Sequence, residues 1–398
     1  MPQCSEVMRT RNNDTLIYFT IRKETTVKRK TIPAIFSVSA LSLMTIGLSG
    51  CMPNENSTQV LSPQQQATPV EMAPKQADSE MQLVLDKLSM LGGKPIEKLT
   101  PMEARNQPAP SDAVKAILKE RGQDNSPEEV GKIEEKMIAG AAGQISARIY
   151  TPGGTGPFPV IFYIHGGGWV IATIDTYDSS ARALTNAAKA IVVSIEYRKG
   201  PEHKFPAAHD DAFAAYQWTL ANAASLNGDP STIAVVGESA GGNMAANVSI
   251  MARDRKVQMP VYQVLVYPVA NNDLNSASMK ENASAKPLNV AMLPWFLGNY
   301  LNTQEESSDP RISLVKADLK GLPPTTLITA EIDPLRSEGQ MLADKLIAAG
   351  VNVDYRNYDG VAHEFFGMGA VVSKARQAVA QAAEGLQRGF GSPIRAAL

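Results

Sequence analysis

The chain has 398 residues, of which 44% are hydrophobic and 20% are charged, and its formal net charge is −2. This length and apolar content suit one large globular domain with a packed core. Because the globular part carries no block of basic residues, we do not expect nucleic acid as a partner.

Residues 1–50 have the pattern of a secretory signal peptide. Lys28-Arg29-Lys30 precede the uncharged stretch 32–48, in which 11 of 17 residues are apolar. That stretch is marginal for a membrane span, which needs about 20 mostly apolar residues. It ends in Leu48-Ser49-Gly50-Cys51, which resembles the lipobox of bacterial lipoproteins. An uncleaved signal anchor is the alternative interpretation.

The lipobox predicts cleavage before Cys51 and lipidation of that cysteine. The only other cysteine, Cys4, lies in the segment that would be removed, so the mature chain would have no free thiol and no disulfide. Residues 51–80 are rich in Gln, Pro, Ser, Thr and Asn, which predicts a disordered tether. We therefore expect an exported protein, lipid-anchored at the periplasmic face of the inner or outer membrane, with its globular domain at 81–398.

The spacing of apolar residues predicts two helices before any strand, one over 81–91 and one that Ser111 caps. Alternation in 144–150 and the glycines near 140–143 predict a hairpin with 133–138. After the hairpin, strand and helix patterns alternate, and the internal strands are largely apolar, as in a parallel sheet covered on both faces. The predicted strands cover 159–164, 191–195, 232–236, 261–267, 325–329 and 351–358, and the helices cover 178–189, 207–226, 240–254, 338–349 and 371–386.

A serine flanked by glycines lies where a predicted strand gives way to a helix. The segment Gly237-Glu238-Ser239-Ala240-Gly241 follows the apolar run 233–236. This is the nucleophile-elbow pattern, in which glycines on both sides leave room for a strained turn. A glycine-rich loop that closes a parallel strand is the alternative for this motif alone. We expect Ser239 to be the nucleophile, with free N–H groups of the following helix directed toward it.

Three glycines follow the predicted strand 159–164, in His165-Gly166-Gly167-Gly168-Trp169. Such a run lets backbone N–H groups turn inward, which the oxyanion of an acyl-transfer reaction requires. By analogy with that motif, we assign the oxyanion hole to the N–H groups of Gly167, Gly168 and Ala240. A glycine run could also bind phosphate, but no Lys-Ser/Thr pair follows, as a P-loop requires.

The best candidate for a general base is His363, one of four histidines. It lies in a loop beyond the last predicted strand, where open α/β sheets place their reacting groups. We expect the other three, His165, His203 and His209, to hold loops by hydrogen bonds.

The base needs an acid to fix its tautomer, and Asp333 leaves the end of the preceding predicted strand. The chain order is then Ser239, Asp333, His363. Glu331 is the second candidate acid, but it lies nearer the strand. Structural roles are expected for Glu238 and Asp309.

Together these motifs resemble the hormone-sensitive lipase family, the bacterial family IV carboxylesterases, over about 81–390. The resemblance implies an α/β-hydrolase fold, with a mostly parallel eight-stranded sheet, helices on both faces and a helical cap from about 81–128 and 270–322. The chain order of serine, acid and base is also the order expected of α/β-hydrolases. The chain departs from the family at Lys199-Gly200, where Leu-Ala is usual, and at Glu238, where many members have aspartate. The other motifs that carry the resemblance are Tyr197-Arg198, 201–208, Asp309-Pro310-Arg311, Asp333-Pro334-Leu335 and His363-Glu364-Phe365.

The resemblance also implies that the chain hydrolyses short- to medium-chain carboxylic esters through an acyl-enzyme, with neither cofactor nor metal. Its partner would be a small ester, and the sequence predicts no oligomeric state. A deacetylase or amidase that acts on envelope or plant polysaccharide is an alternative, because these enzymes share acyl-transfer chemistry. A non-catalytic receptor for small ligands on the same fold is another.

Overall fold

A computed structural model describes residues 75–391. The predicted signal peptide, Cys51 and most of the predicted tether therefore lie outside the described residues. Within 75–391, no helix is both long enough and apolar enough to cross a membrane.

From residue 75 to the start of the sheet, the structure has three α-helices, α1 (Ser79–Met90), α2 (Pro101–Arg105) and α3 (Pro110–Glu120), and a 3₁₀ turn, Ile96–Lys98. The side chain of Asp78 caps α1 by accepting the N–H of Met81 at 2.9 Å. The prediction that Ser111 caps the next helix is wrong, because Ser111 lies inside α3. Pro110 starts that helix with a φ that suits its first turn, and the Asp112 carboxylate accepts the N–H of Ala109 at 2.9 Å.

The described residues include one sheet of eight strands, with helices packed on its faces. The strands are β1 (Lys132–Gly140), β2 (Gly143–Thr151), β3 (Phe158–Ile164), β4 (Ile191–Ile195), β5 (Gly228–Glu238), β6 (Gln263–Val266), β7 (Thr325–Ile332) and β8 (Val353–Ala362). The helices are α4 (Asp178–Ala188), α5 (Ala207–Asn222), α6 (Ala240–Asp254), α7 (Ala277–Glu281), α8 (Met292–Tyr300), α9 (Arg336–Ala348) and α10 (Ser373–Gly389). Of these, α4, α5, α6, α9 and α10 pack on the faces of the sheet, and α7 and α8 lie in the inserted segment, 270–322.

The strand order is β1-β2-β4-β3-β5-β6-β7-β8. The expected hairpin is confirmed, since β1 pairs with β2 in antiparallel register, and β2 pairs antiparallel with β4. All later pairings are parallel. The mostly parallel eight-stranded sheet that the resemblance implies is therefore confirmed, and the carboxyl ends of its parallel strands meet at one edge.

The apolar strands are explained by burial on both faces of the sheet. In β3, Phe162 and Ile164 pack in a cluster with side chains of α5, α6 and α9. Ile161 and Tyr163, which point the other way, pack with α1, α3, α4 and α10. All four side chains are fully buried, which is why this strand has no polar alternation.

The boundaries differ from the predictions mainly at strand ends. β8 continues to Ala362, four residues beyond its predicted end at 358, so that the strand leads directly into His363. The predicted helix 207–226 is divided into α5 and a 3₁₀ turn, Ala223–Leu226, which ends at Asn227 in the left-handed region.

Candidate active site

Ser239 occupies a strained turn between β5 and α6. Its φ is 55° and its ψ is −119°, a conformation that side chains rarely adopt. A Cβ on Gly237 would lie 2.1 Å from the carbonyl oxygen of Gly241, and one on Gly241 would lie 2.0 Å from that of Ile164. Both flanking positions of the elbow are therefore limited to glycine by backbone contacts.

The structure brings Ser239, His363 and Asp333 together from the ends of three strands. Nε2 of His363 lies 3.0 Å from Oγ of Ser239, and Nδ1 lies 2.7 Å from Oδ2 of Asp333. The other oxygen of Asp333 accepts the N–H of Leu335 at 2.8 Å. All three side chains are buried, with Asp333 fully so. This is the geometry of a nucleophile, a general base and an orienting acid.

Burial and charge act in opposite directions on the pKa of His363. Burial lowers that pKa, but the charge of Asp333 and its hydrogen bond, together with the charges of Glu364 and Glu238, raise it above the ordinary value. The ring of Tyr267 lies against the imidazole, with 4.5 Å between the ring centroids.

Hydrogen bonds fix the orientation of a peptide plane in the glycine loop that follows β3. The carbonyl oxygen of Gly166 accepts from the hydroxyl of Tyr197 at 2.9 Å and contacts Nδ1 of His165 at 2.8 Å. Because the peptide is planar, these contacts also orient the N–H of Gly167. Gly167 and Gly168 have φ of 97° and 57°, which glycine adopts without strain.

The three predicted oxyanion donors are free to bind a ligand. Within residues 75–391, the N–H groups of Gly167, Gly168 and Ala240 have no backbone or side-chain acceptor. For Ala240 the reason is its place as the first residue of α6, where the first helical N–H groups have no partner inside the helix.

The remaining histidines lie away from the reacting atoms. Burial lowers the pKa of His209 to about 4, and its two ring nitrogens contact the hydroxyl of Tyr300 at 2.8 Å and Oδ1 of Asn243 at 3.0 Å. His165 is fully buried beneath the glycine loop. His203 is exposed, and its N–H donates to the carbonyl of Lys199.

The alternative acids have other partners. Glu331 pairs with Lys75 at 2.9 Å and accepts the N–H of Gly360 at 2.7 Å, so its carboxylate does not serve His363. Asp309 forms a bidentate ion pair with Arg311 inside the inserted segment.

Glu238, beside the elbow, is fully buried, and both of its oxygens accept tyrosine hydroxyls. The donors are Tyr163 and Tyr267. Burial raises the pKa of Glu238 to about 7, although these hydrogen bonds lower it. Since Tyr267 also packs on His363, this carboxyl supports the imidazole indirectly.

Two features near Asp333 were not predicted. The buried carboxyl of Glu338 accepts the N–H of Ala270 at 2.7 Å, and burial raises its pKa to about 8. Ser278, in α7 of the insertion, donates to the carbonyl of Pro334 at 2.6 Å. The available signal was that Glu338 and Leu342 share a buried helix face, where a carboxyl is unusual.

A cavity of about 370 Å³ opens onto Ser239 and His363. Both segments expected to form the cap, 81–128 and 270–322, contribute to its walls, and Nε1–H of Trp295 joins them by donating to the carbonyl of Leu99 at 3.0 Å. Among residues 75–391, no cluster of His, Cys, Asp and Glu side chains could hold a metal ion. The apolar wall includes Ile96, Leu288, Met292, Leu293, Phe296 and Leu297.

Comparison with known proteins gives consistent matches. A family model described as alpha/beta hydrolase fold matches residues 161–367. A carboxylesterase of Mycobacterium tuberculosis, NlhH, is 41% identical over 263 residues, which cover 65% of this chain and 82% of the relative. An ethyl acetate hydrolase of Pseudomonas putida is 31% identical over 74% of this chain and 92% of its own length.

Solved esterase structures share the fold. An esterase of Pyrobaculum calidifontis superposes with a TM-score of 0.69 and 36% identity, covering 76% of this chain and 97% of its own. The ester hydrolase EH1AB1 from the Lake Arreo metagenome, solved with a bipyridine phosphonate derivative, superposes with a TM-score of 0.70 and 38% identity. The match covers 79% of this chain and 99% of that structure's chain.

Proposed function

Because the chain belongs to the α/β-hydrolase family, in its hormone-sensitive-lipase-like branch, and is a carboxylic ester hydrolase, we propose that it cleaves short- to medium-chain esters through an acyl-enzyme. The observation that carries the mechanism is the chain of hydrogen bonds from Ser239 through His363 to Asp333.

In the first half-reaction, Oγ of Ser239 attacks the ester carbonyl while Nε2 of His363 takes its proton. The attack forms the bond from Oγ to the carbonyl carbon and moves an electron pair onto the carbonyl oxygen. When this tetrahedral intermediate collapses, the bond to the alcohol breaks and the imidazolium gives its proton to the leaving oxygen, which leaves the acyl-enzyme. Water then attacks the acyl-enzyme by the same route, which releases the acid. Asp333 keeps the proton of His363 on Nδ1 and stabilises the imidazolium.

The negative charge on the carbonyl oxygen is stabilised by the N–H groups of Gly167, Gly168 and Ala240. Their lack of other acceptors in the described residues supports this assignment. Loss of one such donor costs about 10²–10³ in kcat in subtilisin.

The size of the cavity supports a small substrate. Its volume of about 370 Å³ is near the lower end of the roughly 300–1,000 Å³ typical of small-molecule sites. Its apolar wall suits an alkyl chain better than a charged or sugar group, which favours the esterase over the polysaccharide deacetylase.

The test is hydrolysis of p-nitrophenyl esters from acetate to laurate by the full chain and by Ser239→Ala. We expect turnover that is highest for the shorter esters, and a loss of about 10⁶ in kcat for the variant, as for the serine of subtilisin. Equal turnover by both proteins would remove the enzyme assignment. Acetylated xylan and p-nitroacetanilide in parallel reactions test the deacetylase and amidase alternatives.

We also propose that the enzyme is exported and anchored through lipid on Cys51. The basic residues 28–30, the apolar stretch 32–48 and the lipobox-like Leu48-Ser49-Gly50-Cys51 support this. Mass spectrometry of the mature N-terminus should find acyl chains on Cys51. The Cys51→Ser variant should no longer be found in the membrane fraction. An unmodified mature chain that starts elsewhere would contradict the proposal.

A further inference from the structure

The loop that follows the oxyanion glycines is held from outside by three donors. The carbonyl oxygens of Trp169, Val170 and Ala172 each accept a hydrogen bond from another part of the chain. The donors are the N–H of Gly200 at 2.9 Å, Nε–H of Arg105 at 2.8 Å and Nζ of Lys199 at 2.6 Å.

Lys199 directly follows the Tyr197-Arg198 motif, at a position where the family usually has leucine. Its ammonium also pairs with Glu196, and its side chain is only 15% exposed. The second oxygen of Glu196 accepts the N–H of Ile174 at 3.0 Å. The pair therefore binds the loop on both sides of residue 173, at Ala172 and at Ile174. A leucine side chain could make neither the bond to Ala172 nor the ion pair.

The segment that the pair holds packs directly against an oxyanion donor. A Cβ on Gly167 would lie 2.3 Å from the carbonyl oxygen of Ile171 and 2.8 Å from Cβ of Ala172. The N–H of Ile171 also donates to the carbonyl of Gly167 at 2.9 Å. Any shift of residues 171 and 172 is therefore transmitted to the peptide that carries the N–H of Gly168.

The charges at this point are balanced. Burial would raise the pKa of Glu196, but His165 and Lys199 lower it to about 2, so the carboxylate is ionised at neutral pH. Nε2 of His165 lies 3.8 Å from this carboxylate and has no hydrogen-bond partner among the described residues. Without the ammonium, Glu196 would be a largely buried charge with an incomplete set of partners.

We propose that Lys199 and Glu196 form a positioning pair that holds the oxyanion loop of this enzyme in its productive geometry. The inference depends on the proposed esterase mechanism, and it assigns the pair an effect on the transition state rather than on substrate binding. Neither residue touches the reacting atoms.

The experiment measures kcat and KM of the full chain for p-nitrophenyl butyrate with Lys199→Met, which keeps the length of the stem and removes the ammonium. Since a misplacement of about 1 Å costs roughly 10² in rate, we expect kcat to fall about 10- to 100-fold while KM stays within about twofold. Lys199→Arg should restore most of kcat, because a guanidinium can donate to both Ala172 and Glu196.

The matched control is Arg388→Met, which removes an ion pair with Asp354 (2.9 Å) at the end of β8 far from His363. We expect its kcat to be that of the wild type. Thermal melting shows whether each variant is folded at the assay temperature. If Lys199→Met is not folded, Glu196→Gln takes its place, with the same expected fall in kcat and unchanged KM.

An unchanged kcat, a raised KM alone, or no rescue by arginine would overturn the proposal. If that occurs while Ser239→Ala is inactive, the positioning pair fails and the esterase mechanism stands. If the wild type itself has no turnover above Ser239→Ala, the esterase mechanism fails.

Discussion

Gly168 lies where the glycine loop meets the cap, so Gly168→Ala tests both the donor assignment and the packing of α8. A Cβ at this position would lie 2.3, 2.5 and 2.7 Å from three ring carbons of Phe296. Carbon atoms normally approach to about 3.5–4.0 Å, so the ring or the loop must move by roughly 1 Å or more. The left-handed φ of 57° adds about 1–2 kcal/mol for a residue other than glycine.

The expected cost in rate follows from that displacement. A shift of about 1 Å in a catalytic group costs roughly 10², and loss of one oxyanion donor costs about 10²–10³. We therefore expect kcat for p-nitrophenyl butyrate to fall about 10²-fold in Gly168→Ala. In Gly168→Ala/Phe296→Ala the ring is absent, so most of kcat should return, and longer acyl chains should be accepted in the wider cavity.

Gly298→Ala is the matched control, because it makes the same substitution at an exposed position of α8, where a Cβ would meet nothing within 4 Å. Its kcat should equal that of the wild type, and its Tm should rise slightly, since glycine inside a helix costs about 0.5–1 kcal/mol relative to alanine. A wild-type kcat in Gly168→Ala would refute the donor assignment. An unchanged loss in the double variant would refute the role of Phe296.

Two further predictions concern buried carboxyl groups. Asp333→Asn should lower kcat about 10⁴-fold, as the equivalent change does in trypsin. Since Asp333 raises the pKa of His363 and neutral imidazole is the base, the acidic limb of the kcat/KM profile should also move to lower pH, and a limb that stays or moves upward would contradict the coupling. Glu338 has a pKa of about 8 in the folded protein against 4.5 as its ordinary value, so its stabilising contribution is complete below about pH 4.5 and is lost as pH rises toward 8. Glu338→Gln should therefore reduce the fall in unfolding free energy between pH 5 and 8 in urea titrations, whereas the exposed Glu384→Gln should not; equal slopes would contradict the burial argument.

The convergence of Ser239, Asp333 and His363 could be predicted because each follows a strand in the parallel part of the sheet. Parallel strands place their carboxyl ends at one edge of the sheet, so residues 239, 333 and 363 were expected to converge although they are far apart in the chain. The glycines at 237 and 241 also had a local steric reason, which the backbone contacts now quantify.

The supporting contacts could not be predicted, because they depend on packing between distant segments. Ser278 reaches Pro334 and Lys199 reaches Ala172 across loops that have no periodic pattern. The predicted Ser111 cap was wrong for a local reason. Pro110 is the first residue of the helix and Asp112 accepts the N–H of Ala109, so Ser111 lies inside the first turn.

The position of His363 has a consequence for truncated chains. His363 follows β8, which is the last strand of the described residues and an edge of the sheet. A chain that stops before β8 would still contain Ser239 and its turn but would have no His363 to accept the proton. We therefore expect such a truncated chain to have no ester turnover, although it retains the serine.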